Sequence, residues 1–172
     1  MNPISELMHE EHRVLGAYLD AVHNVADAMD DISLPELRSR IDQVHDYLVT
    51  RLAPHATAED EVLYPAVGWL LGNPQATATM TRDHVEIARL TAKLAALRQR
   101  LMHGYFGPVE LRAVRAVLFS LDAVVRLHMA KEEEIYLPLL EERLTPVEAR
   151  DLLKRMEAAE HHAGGALAAA TA

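Results

Sequence analysis

The sequence predicts an all-α protein: an up-down-up-down four-helix bundle built from two helix-hairpin repeats, with a short fifth helix at the C-terminus. Three observations carry that prediction. Apolar residues recur at helical spacing along four long stretches. Ala, Leu, Glu and Arg dominate, whereas only seven glycines and eight prolines are present, a mixture that favours helix. The second half of the chain also repeats the first, at an offset of 72 to 73 residues.

The first helical pattern runs from about Pro3 to Asp30, with Asn2 placed to cap it and Pro3 at the first helical position. A short turn, Asp31 to Leu34, leads to Pro35, which opens a second pattern reaching about Leu71. Gly72-Asn73-Pro74 ends that pattern. The third covers roughly Gln75 to His103. Gly104-Tyr105-Phe106-Gly107-Pro108 separates it from the fourth, which continues to about Leu144. Thr145-Pro146 starts the short fifth helix, and the Ala-rich tail from Gly164 reads as frayed. The expected division is therefore a bundle over residues 1–144, a helix over 145–163 and a tail over 164–172.

Bulk properties remove several function classes. A formal charge of −9 opposes binding to nucleic acid or to an anionic membrane surface. No apolar run approaches the ~18 residues of a membrane span, and the N-terminus lacks a secretory pattern, so the expected location is the cytoplasm. Cysteine is absent, which excludes disulfides, thiolate catalysis and sulfur-ligated metals. Ten histidines stand out against two phenylalanines.

The repeat shows where those histidines matter. His55 and Glu59, followed by Pro65, match His128 and Glu132, followed by Pro138. Upstream, Glu11-His12 matches Asp83-His84. His12 lies about 19 residues before the middle of its turn and His55 about 20 residues past Pro35. At ~1.5 Å per residue, antiparallel helices bring the two to one height. The second hairpin has the same lever arms for His84 and His128. On the second helix His55 and Glu59 fall within an apolar stripe of Ile41, Val44, Leu48, Leu52, Val62, Ala66 and Leu70. On the fourth, His128 and Glu132 interrupt Leu118, Leu121, Val125, Ile135 and Leu139. Two facing buried carboxylates cost several kcal/mol unless cations neutralise them. Imidazole nitrogens with carboxylate oxygens suit iron, manganese or zinc.

These residues resemble the hemerythrin-like HHE cation-binding family, of the four-histidine type: His on helices one and three, His-x-x-x-Glu on helices two and four. The matching positions are His12, His55 with Glu59, His84, and His128 with Glu132, within residues 5 to 142. The resemblance implies two non-haem irons bridged by both glutamates and an oxo or hydroxo group. His12 and His55 would serve one iron, and His84 and His128 the other; manganese or zinc are the alternative metals. Oxygen-carrying hemerythrins have a further histidine one turn before the third-helix ligand, where this chain has Met80, with Met8 as its repeat counterpart. Fewer protein ligands leave coordination positions open to small molecules. The expected function is therefore catalase- or peroxidase-like chemistry on hydrogen peroxide, the alternative being non-catalytic binding or sensing of O2, NO or iron. The expected state is a monomer or homodimer.

Other candidates are weaker. His9 lies one turn before His12 and reads as an outer partner of the site. His45 is about 15 Å from His55 along the helix and reads as core or channel lining. His23, His103, His161 and His162 read as surface residues, and Tyr47, Tyr64 and Tyr136 as packing residues. Asp60, Glu61, Glu133 and Glu134 read as a solvated acidic face. Pro54 should bend or bulge the second helix beside His55, and its repeat counterpart is Leu127. A ferritin-like carboxylate bundle needs Glu-x-x-His twice, and only Glu6 with His9 fits.

Overall fold

Each helix begins where a side chain replaces a missing backbone partner. In the computed structural model, which describes residues 2–104 and 107–170, Asn2 Oδ1 accepts a hydrogen bond from the Ser5 N–H and opens α1 (Pro3–Ala28). The Asn2 amide also donates to the Leu140 carbonyl, tying the N-terminus to the end of the fourth long helix. Ser33, not anticipated as a cap, accepts from Glu36 N–H and starts α2, residues 34–70. Gly72, at φ 62°, lets the chain turn back after α2. Gly68 allows the same turn to close, because a Cβ there would meet the Asn73 carbonyl oxygen at 3.2 Å.

α3 spans Ala78–Met102, starting later than expected because Asn73 holds residues 75 and 76 in a turn. Tyr105 and Phe106 of the expected connection lie outside the described residues. α4 covers residues 108–143, and Thr145 and Glu148 then cap each other reciprocally to start α5 (Pro146–Ala170).

α1 to α4 form a ring in which α1 touches α2 and α4, and α3 touches α2 and α4. α5 lies outside the ring against α1 and α2, burying Ala149, Leu152 and Met156. It is longer than the sequence suggested: helix continues past residue 163 through Gly164-Gly165. Gly164 lies beside Pro54, whose Cγ would sit 4.0 Å from a Cβ at that position, so packing on α2 carries the helix onward. The last two residues of the expected frayed tail lie outside the described residues. No described helix is long and apolar enough to cross a membrane.

The long helices are not uniform. α2 widens into π-helical turns at Leu48–Leu52 and Glu59–Leu63, and α4 at Glu132–Tyr136. Each wide turn precedes a proline that cannot donate. The residue before Pro54, Pro65 and Pro138 reaches back five positions instead, to the carbonyl of Leu48, Glu59 and Glu132 respectively. The bulge expected at Pro54 is therefore present, and α4 runs as α-helix through Leu127.

Two of these turns rotate the inward face. Ile135, expected inside, is 57% exposed, and Tyr136, Leu137 and Leu140 are buried instead. On α2 the inward positions past Glu59 are Val62, as expected, together with Leu63, Tyr64 and Val67, while Ala66 and Leu70 are only partly buried.

The buried core falls into two apolar clusters. One gathers Leu15, Leu19, Ile41, Leu94, Leu118 and Leu121; the other gathers Ile4, Met8, Leu63, Met80, Leu137 and Met156. On all four ring helices the predicted histidines fall between them.

Leu152→Asp would bury an unpaired charge under α5, a change that costs several kcal/mol. Limited proteolysis is then expected to cut α5 faster than in the parent protein, with a lowered melting midpoint. Unchanged cleavage would mean α5 is not held by this contact.

Candidate metal centre

α1 supplies His12, α2 His55 and Glu59, α3 His84, and α4 His128 and Glu132. All six side chains are buried, and the two glutamates have no exposed surface at all. The structure brings all six together, as the equal lever arms require. Glu59 Oε1 lies 3.0 Å from His55 Nε2, while its Oε2 lies 3.1 Å from His84 Nε2 and 3.7 Å from His128 Nε2. Glu132 Oε2 lies 3.2 Å from His12 Nε2 and its Oε1 3.6 Å from His128 Nε2. Each carboxylate thus reaches from its own hairpin to the other.

Close approach here is not hydrogen bonding. Both oxygens of Glu59, Glu132 Oε2 and His12 Nε2 are buried without a hydrogen-bond partner among the described residues. Such orphaned groups are rare and costly in folded proteins. A cation between them would satisfy every one. His12, His55 and Glu59 offer ligand atoms within 4.8 Å of one another, and Glu59, His84 and His128 do likewise. Nitrogen and carboxylate donors without thiolate fit iron, manganese or zinc.

A second ring of carboxylates surrounds the imidazoles. Nδ1 of His12 meets Glu133 at 2.7 Å, that of His84 meets Asp60 at 2.9 Å, and that of His128 meets Asp83 at 3.3 Å. His55 Nδ1 faces Glu11 at 3.2 Å. Holding Nδ1 on an outer carboxylate turns Nε2 inward and fixes the ring. Sequence reasoning assigned Asp60 and Glu133 to a solvated face; the structure corrects this, because each reaches a histidine of the opposite hairpin. The signal was present, since an acidic residue precedes each ring-helix His12 and His84 and follows each of Glu59 and Glu132. Glu61 and Glu134 are exposed as expected.

Tyr64, read as a packing residue, was missed as well. The rotated face of α2 places its hydroxyl inside, donating to Glu132 Oε1 at 2.7 Å and lying 3.1 Å from His128 Nε2. Burial, reinforced by Glu59 and Glu132, pushes its pKa far up, so the phenol keeps its proton. Tyr136 instead donates to the Ala76 carbonyl, and Tyr47 stacks on Tyr18 with centroids 3.6 Å apart.

The remaining histidines stand apart from the six. His9 pairs with Glu133 at 2.5 Å, behind His12. His45 is half-buried and lines a groove between α2 and α3. His23 is half-exposed but meets the buried Asp122 at 3.1 Å, and His103, His161 and His162 are exposed.

A family model described as the Hemerythrin HHE cation binding domain matches residues 4–140 and, a second time, residues 75–172. The second match starts just before α3, where the hairpin repeat begins again. No curated protein and no solved structure matches the chain.

Burial lowers the histidine pKa values, yet the carboxylates outweigh it: Glu132 and Glu133 raise His12, Glu59 and Glu11 raise His55 well above the ordinary value, and Asp60 and Glu59 raise His84 to about 9. Burial likewise pushes Glu59 up, but His55, His128 and His84 hold it well below 4.5. Raised imidazoles stabilise the metal-free fold fully below pH 6.5, and that stabilisation fades as pH climbs through about 9. Metal must displace the same protons, so its affinity moves the opposite way. Over that interval the melting midpoint of metal-free protein is expected to fall while metal affinity rises. Parallel changes in the two quantities would contradict the arrangement.

Proposed function

The chain belongs to the hemerythrin HHE cation-binding family, and on that footing we propose that its centre holds two non-haem iron ions and decomposes hydrogen peroxide. One observation supports the pair of ions above all: Glu59 and Glu132 each direct one oxygen to either hairpin's histidines, and three of those four oxygens lack any other partner. His12 and His55 would hold one ion and His84 and His128 the other, with both glutamates shared. Manganese and zinc satisfy the same donors, but only a metal with two accessible oxidation states carries electrons between peroxide molecules. Iron, when bound, supplies that chemistry.

The chain's own groups do the rest. The outer carboxylates Glu11, Asp60, Asp83 and Glu133 hold the imidazoles in one orientation and help balance the charge of the ions. Met8 and Met80 are fully buried one turn before His12 and His84. They place apolar side chains where further ligands would otherwise stand, which supports open coordination positions and turnover over simple oxygen storage. Tyr64 keeps a proton at its hydroxyl on the His128 side, against Glu132 Oε1. It is the group placed to hydrogen-bond a peroxide beside His128; the two protons needed when one peroxide is reduced to water come from the second peroxide as it is oxidised to O2.

Elemental analysis of protein isolated without added metal is expected to give two irons per chain, and added peroxide to release O2 well above the rate of free iron. Tyr64→Phe should retain the metal and lower O2 release by roughly tenfold or more, as losing a positioned hydrogen-bond donor does. Full activity in Tyr64→Phe would remove that role. A stable, reversible oxygen adduct with negligible turnover would favour an oxygen-binding protein instead.

A further inference from the structure

The four outer carboxylates are not closed alike. Asp60 also accepts from the Thr81 hydroxyl at 2.7 Å, Glu133 is held by His9, and Asp83 is paired with Lys131. Glu11 has no second partner among the described residues, and its Oε2 is buried without a hydrogen bond although His55 Nδ1 stands 3.2 Å away. The His55 corner is the loosest of the four.

That corner opens to solvent. A cavity of about 520 Å³ lies between α1, α2 and α5, with His55 and Glu11 in its lining. Leu52 and Tyr47 line its wall, and Glu160 and Arg51 also border it. Burial first, and then the nearby Glu11, push the Glu160 pKa up, while His55 and Arg51 pull it the other way. His55 is nine-tenths buried, and its Nε2 faces the orphaned Glu59 Oε1. The asymmetry has a local cause. Pro54 and its π turn distort α2 beside His55, whereas the equivalent stretch of α4 is regular helix at Leu127. A groove between α2 and α3 also reaches His84, but small apolar residues such as Ala53, Ala56, Ala88 and Ala95 line it. Its one carboxylate, Asp60, is already engaged.

We propose that the α1–α2–α5 cavity is the inlet for divalent metal, which passes from Glu160 to Glu11 and on to His55 and Glu59. This rests on the two-ion reading above and adds a route to it. α5 then has a role beyond packing, because it supplies the outer carboxylate of the path. No bond to carbon forms or breaks and no electron moves; the ion exchanges water for carboxylate oxygen and then imidazole nitrogen.

Metal-free full-length protein would be mixed with cobalt(II), and the growth of the d–d absorption followed by stopped flow. Glu160→Lys is expected to slow uptake about tenfold and Arg51→Gln to speed it about two- to threefold, as local charge steers a cation. The isosteric Glu160→Gln should slow it by a smaller factor, which guards against a fold defect in the lysine variant. Asp31→Lys, on the exposed turn between α1 and α2, makes the same net charge change elsewhere and should stay near the parent rate. Final stoichiometry should be equal in all five proteins. Equal slowing by Glu160→Lys and Asp31→Lys, or no effect of Arg51→Gln, would overturn the inlet while leaving the centre intact. No cobalt uptake by the parent protein would overturn the two-ion reading and the inlet together.

Discussion

Two carboxylates without exposed surface, Glu59 and Glu132, sit between two apolar clusters in the middle of the bundle. Moving a carboxylate from water to such a place costs several kcal/mol even after relaxation, and the fold must compensate within the same layer. Imidazoles from all four ring helices do so. A hydrogen-bonded ion-pair network alone would leave lone pairs without donors, and the structure has such orphans at Glu59, Glu132 and His12. Four rods converging on shared cations, as proposed, would account for both the burial and the orphaned atoms. The same requirement explains the outer carboxylates, since each fixes the ring that presents its Nε2 inward.

Proline placement links backbone to chemistry. Pro65 and Pro138 each force a wide turn beginning at the site glutamate, so the carbonyl of Glu59 or Glu132 takes a bond from five residues on. The wide turn rotates everything after it, burying Tyr64 on α2 and Tyr136 on α4 while exposing Ile135. Because the chain places Tyr at 64 and Leu at the matching 137, the two hairpins differ chemically at that point: one offers a hydroxyl to the centre, the other a hydrocarbon. The third wide turn, before Pro54, has no counterpart and distinguishes the His55 corner from the other three.

Helix number and the convergence of six side chains were legible in the sequence because both follow from spacing. Matched lengths on either side of each turn bring His12, His55, His84 and His128 to one level, whatever the local detail. Face assignments past Glu59 and Glu132 were not legible from a uniform 3.6-residue period, which a five-residue backbone bond breaks. Two mid-helix prolines at matching repeat positions were the clue to those turns. Asp60 and Glu133 were misread for a related reason: adjacent acidic residues on a helix ordinarily face solvent, and only the neighbouring hairpin's histidine gives them a partner. α5 outran its expected end because packing against α2 outweighs the low helix propensity of Gly164 and Gly165.

X-ray diffraction from crystals of iron-loaded protein, recorded on either side of the iron absorption edge, bears most directly on whether the buried carboxylates exist to share metal. Two anomalous peaks are expected between Glu59 and Glu132, one within bonding distance of His12 and His55 and the other of His84 and His128. A single peak, or peaks bound elsewhere with the six side chains paired only to one another, would contradict the account.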